Sequence, residues 1–118
     1  MHLSLFLRGA CVVSEIVKQA LLELKEKLYR LYGDRLVAVV LYGSVARGEE
    51  EEGSDVDVAV ILRGDIQIGV EIDRMSPLVS EIGLRYDITL SVLPIPEIWW
   101  RERQSPLLLN LRKEGVTL

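Results

Sequence analysis

Two valine-rich runs constrain this chain more than any other feature. Leu36 to Tyr42 and Val58 to Leu62 are apolar stretches too short for ordinary helices and bounded by turn residues. The first reads as a strand buried on both faces and the second as the inner part of a strand over Asp55 to Leu62, so helices must cover the sheet they build. Between them lies Gly43-Ser44-Val45-Ala46-Arg47-Gly48-Glu49-Glu50-Glu51-Glu52-Gly53-Ser54-Asp55-Val56-Asp57. It begins where the first strand stops. It ends on two carboxylates, one residue apart, at the head of the second.

The flanking segments supply the helices. Residues 14 to 32 carry Ile16, Val17, Ala20, Leu21, Leu24, Leu28 and Leu31 at helical spacing, with Ser14 placed as N-cap and Gly33 as terminator. Leu22, Tyr29 and Tyr32 broaden that apolar surface beyond one stripe, which leaves open a partner-binding face beside the scaffold role. A short helix over Val45 to Glu50 is expected after the Gly-Ser turn. A further helix is expected near 69 to 82, with Pro77 as a kink or interruption and Gly83 as its end. Tyr86 to Leu93 alternates Ile88, Leu90 and Val92 with Asp87, Thr89 and Ser91, which predicts a third strand ended by Pro94 and Pro96. Two short helices follow, Glu97 to Arg103 and Ser105 to Lys113, the second capped by Ser105. Trp99 and Trp100 point about 100° apart on a helix, so one is expected in the core and the other is free to contact a partner.

This pattern predicts an α/β (α+β) fold: a small mixed sheet of about three strands flanked by helices. Residues 14 to 118 are expected to form one domain, with residues 1 to 13 as an N-terminal extension. The 118 residues, 49% apolar and 27% charged, fit one soluble core. The net charge of −4 argues against direct nucleic-acid binding. The single cysteine, Cys11, excludes an intrachain disulfide and a multi-cysteine metal site. No apolar run approaches the ~20 residues of a membrane span, and Arg8 interrupts the apolar start, so a cytoplasmic protein is expected.

The chemistry lies in the arrangement. A Gly-Ser turn after a strand offers backbone N–H groups and a hydroxyl to phosphate. Asp55 and Asp57 share one face of a strand and can hold a divalent cation together. Asp87, on the polar face of the third predicted strand, would add a third carboxylate. Three such groups at one sheet edge repel unless cations neutralise them, which fits a two-magnesium site for phosphoryl or nucleotidyl transfer. The run Glu49 to Glu52 is expected to face solvent, because like charges beside a triphosphate would weaken its binding.

Gly43-Ser44, ten residues, then Asp55-Val56-Asp57, within Leu41 to Gly48 and Ser54 to Val60, resembles the signature of the minimal nucleotidyltransferases of the DNA polymerase β-like superfamily. The resemblance runs from about residue 14 to the C-terminus. It implies that Gly43 and Ser44 hold the terminal phosphates of ATP, and that Asp55, Asp57 and Asp87 bind two Mg²⁺ ions and carry catalysis. It makes Arg47 a candidate phosphate contact, against a salt bridge to the loop glutamates. Strands and helices use up nearly all the residues, so a partner must supply much of the acceptor site. Minimal nucleotidyltransferases of this kind are similar to antitoxins paired with HEPN-domain ribonuclease toxins, for which the implied reaction is transfer of AMP to a toxin tyrosine. The alternatives are an antitoxin that only masks its toxin, a subunit acting on a small molecule or a nucleic-acid end, and a plain α/β domain with exposed acids.

Overall fold

In the computed structural model, which describes residues 14–48 and 55–118, the chain forms three layers: a pair of helices, a sheet, and a second pair of helices. The sheet is mixed and has four strands in the order β3-β2-β1-β4: β1 is Leu36–Tyr42, β2 is Val56–Leu62, β3 is Leu90–Pro96 and β4 is Val116–Thr117. β1 runs antiparallel to β2 and to β4, while β2 and β3 are parallel. The helices are α1 (Glu15–Tyr32), α2 (Gly43–Ala46), α3 (Ile68–Tyr86), α4 (Glu97–Glu102) and α5 (Pro106–Glu114). The strand β4, only two residues long, is the one missing from the predicted three.

Alternation along the strands divides the core. Val39 and Leu41 of β1 and Val56, Val58, Val60 and Leu62 of β2 face α1 and α3, where Leu21, Leu24, Leu28, Met75 and Ile82 cover them. Val40, Ala59, Ile61 and Ile95 point to the opposite side, against Leu108 and Leu111 of α5. Both faces of β1 and β2 are therefore dry, as their unbroken apolar sequence requires. The helix α1 follows its predicted bounds: the Val17 N–H donates to Ser14 Oγ at 3.3 Å, and Gly33 turns the chain at φ 55°. Of the predicted stripe, Ile16 and Leu31 are exposed, and Tyr32 takes a buried place instead. Tyr32 donates to Glu71 Oε1 at 2.7 Å, and Arg74 Nε donates to the same oxygen at 3.1 Å, so the buried Glu71 keeps its partners.

Three expectations are corrected. The helix α3 is a single 19-residue helix that runs through Pro77 and past Gly83. Met75 before the proline and Ile82 after it are both buried, and that packing outweighs the lost backbone bond. Its last turn is held by Tyr86, whose hydroxyl donates to Glu23 Oε1 of α1 at 2.8 Å. The third strand consequently starts at Leu90 and includes Pro94 and Pro96, which an edge strand tolerates. Asp87 therefore lies outside the strand; it is the C-cap of α3, in the left-handed region at φ 53°, ψ 49°. The two tryptophans are both half-buried beside α5, and Arg103 lies over the Trp99 ring at 3.6 Å. The short second helix spans Gly43–Ala46. It starts two residues before the predicted Val45 and has ended before Arg47, short of the predicted Glu50; the expectations for Cys11 and for Glu49 to Glu52 lie outside the described residues.

A left-handed cap costs an L-residue energy that glycine avoids. Asp87→Gly is expected to stabilise the fold by up to about 1 kcal/mol, read as a higher urea midpoint at unchanged slope.

Candidate active site

The site is built by the register of β1 and β2. Tyr42, the last residue of β1, is paired with Asp57 near the start of β2. Gly43 then leaves the sheet at φ 75°, a conformation that suits glycine. Space demands glycine there as well. A Cβ at Gly43 would collide with Asp57 Oδ2 and come within 3.2 Å of Asp57 Cγ. The carboxylate of Asp57 thus lies directly over the Gly43 backbone, beside the turn that carries Ser44.

Side-chain parity sets the rest. Asp57 shares its face with Ala59 and Ile61, the α5 side of the sheet, while Asp55, predicted to open the strand, lies just ahead of it and acts on Asp57 through its charge. The parallel register pairs Asp57 with Ser91 of β3 on its other side. Tyr42, Asp57 and Ser91 therefore form one cross-strand row. Ser91, and not the expected Asp87, is the β3 residue opposite Asp57, and strand register is the information that reveals it. Asp87 stays in the turn before β3, and among the described residues no group of three His, Cys, Asp or Glu side chains could hold a metal.

Electrostatics marks Asp57 as the strained member. Partial burial pushes its carboxyl above the ordinary carboxylate range, the negative charge of Asp55 pushes the same way, and Arg47 opposes both. Tyr42 is also raised, by burial first and by Asp57 second. Arg47 pairs with Glu114 at the end of α5 at 3.7 Å. Its expected link to the loop glutamates lies outside the described residues. Two carboxylates that repel, one of them over a glycine cradle, form an all-oxygen donor set that suits a hard divalent cation.

An acid held above its usual value in the fold binds its proton more tightly there than in the unfolded chain. Ionising it at neutral pH costs stability, and that cost fades as pH falls through the raised value and below the unfolded one. Without divalent cations, Asp57→Asn is therefore expected to raise the melting temperature at neutral pH. The gain should vanish below about pH 4, as thermal melts across the acidic range would show.

Comparison with known proteins points to one family. The family model described as "Nucleotidyltransferase domain" matches residues 17–108. MJ0141 of Methanocaldococcus jannaschii, named "Putative protein adenylyltransferase", is 34% identical over 104 residues, covering 88% of this chain and 96% of that protein. MJ0604 of the same organism bears the same description and is 29% identical over 102 residues, 86% of this chain and 96% of its own length. Among solved structures, one described as "Crystal structure of the toxin-antitoxin with AMP-PNP" matches with a TM-score of 0.57 over 80% of this chain and 69% of that one. At 20% identity that likeness speaks for the fold alone.

Proposed function

Because the chain belongs to the nucleotidyltransferase domain family and is a nucleotidyltransferase of the minimal type, we propose that it transfers AMP from ATP to a hydroxyl of a partner protein. The observation that carries this reading is the Asp57 carboxylate seated over Gly43, beside the turn that holds Ser44, with the charge of Asp55 acting on it. The turn at Gly43 and Ser44 receives the terminal phosphates. Arg47, whose charge already acts on Asp57, adds a positive group on that side. Asp55 and Asp57 would hold Mg²⁺, two ions in the full site, which neutralises the triphosphate and activates the accepting hydroxyl when bound. Asp87 is left out of this set, because it stands in the turn ahead of β3.

The reaction forms a bond from the hydroxyl oxygen to the α-phosphorus and breaks the α–β phosphoanhydride. Pyrophosphate leaves and the hydroxyl proton is released. The chain's residues orient the triphosphate, and the partner brings the acceptor. The finer reading is an antitoxin that modifies a tyrosine of a HEPN ribonuclease toxin and so silences it in the cytoplasm. Its support is the adenylyltransferase description of the two archaeal relatives, together with a structural neighbour that is a toxin-antitoxin with AMP-PNP. No helix among the described residues is long and apolar enough to cross a membrane.

The test mixes the chain, Mg-ATP and the product of the adjacent reading frame, and weighs both proteins by intact mass spectrometry. AMP is expected on the partner. Asp55→Asn and Asp57→Asn should each reduce transfer by at least two orders of magnitude, about 3 kcal/mol of transition-state stabilisation. A tight complex with no mass change, and toxin neutralisation preserved in both variants, would instead establish masking without catalysis.

A further inference from the structure

The outer edge of β3 is divided. The Val56 N–H donates to the Thr89 carbonyl at 2.8 Å, which fixes the phase of the parallel ladder. In that phase Ser91, Leu93 and Ile95 turn their backbone groups toward β2. Leu90, Val92, Pro94 and Pro96 turn theirs outward, where no further strand lies among the described residues. Both prolines thus fall on outward positions and supply no N–H, which blocks strand pairing over the second half of the edge. The first half keeps both N–H groups, at Leu90 and Val92.

That open half lies beside a groove. Ile72, Met75, Ser76 and Val79 of α3 and Leu90 to Val92 of β3 line a cavity of about 260 Å³. Ile72 is 43% exposed there although it is a large apolar side chain. The volume falls below the ~300–1,000 Å³ of pockets that enclose drug-sized molecules, so it suits side chains of a segment laid along it. Ser91 borders the groove through its strand, while its side chain, like that of Asp57, lies on the α5 face, one strand spacing from the candidate active site.

We infer that the acceptor protein docks as an extended segment on the open half of β3, pairing its backbone with Leu90 and Val92 and sinking apolar side chains against Ile72, Met75 and Val79. The inference rests on the adenylyl-transfer reading and names the place where its acceptor binds. Paired outward N–H and C=O groups beside an apolar groove match a polypeptide backbone. A nucleic acid would meet no basic lining there, and the chain as a whole is acidic. Residues of the segment then alternate between the groove and the α5 face, and a hydroxyl side chain on that second face passes Ser91 to reach Asp57.

A synthetic library of short, fluorescently labelled, tyrosine-centred peptides with alternating apolar residues is the probe. Binding is read by anisotropy without nucleotide, and AMP addition by mass spectrometry with Mg-ATP. Val92→Pro removes an outward N–H. Ser76→Trp, at an exposed position on α3, fills the groove without touching the core. Both are expected to weaken peptide binding by about tenfold, the loss typical of a removed anchoring contact, with ATP affinity unchanged. Equal binding by the wild type and the Ser76→Trp variant, or no peptide binding by the wild type, would overturn the groove. Peptides that bind in the groove but gain no AMP would leave the docking site standing and remove the transfer reading.

Discussion

The pairing of Tyr42 with Asp57 is the constraint on which the site depends. It brings the end of one strand and the start of the next to the same rim of the sheet. The intervening loop can then be long without loosening the geometry. What holds the register is remote from the rim: five buried apolar positions of β2, Val58 to Leu62, lock into two cores at once. A slip of one residue would turn Asp57 toward the α1 and α3 core and bring an apolar neighbour to the rim. The hydrophobic pattern therefore places the chemistry as firmly as it places the core.

The two ends of the sheet treat charge in opposite ways. At the end away from the site, the buried Glu71 is satisfied by Tyr32 and Arg74, and the burial of Tyr32 beside that carboxylate raises its phenol well above the ordinary value. At the other end, Asp57 is partly buried with a like charge beside it and, among the described residues, Arg47 in opposition. The fold completes the polar network that is purely structural and, on the proposed reading, leaves incomplete the one that a ligand would finish. Arg47, tied to Glu114 between half-exposed side chains, belongs to the second kind, because an exposed pair of that sort contributes little and can be exchanged.

Much of this was legible in the sequence, and the failures share one cause. β1 and α1 were read to the residue or nearly so, because burial on both faces and strong caps leave few alternatives. The parity of Asp57 is also legible, since period two along a buried strand admits one answer. The misreadings cluster between 83 and 96. There Gly83, Pro94 and Pro96 read as terminators on local grounds. Tertiary contacts overrode them: Tyr86 reaches Glu23 and extends α3, and the sheet edge accommodates both prolines. The shift moved Asp87 out of the strand and brought Ser91 opposite Asp57. No local pattern could have predicted β4, whose two residues owe their strand geometry to β1.

The prolines of β3 carry a further consequence, for time rather than for position. An edge open along all seven residues of that strand could hold a neighbouring chain through a long ladder and release it slowly. An edge cut to its first half offers hydrogen bonds from only two residues, Leu90 and Val92. Differences in affinity between related complexes reside chiefly in dissociation, so a truncated ladder shortens residence. A short-lived contact suits a chain that modifies one partner molecule after another, whereas permanent masking would favour the longest edge the sheet could present.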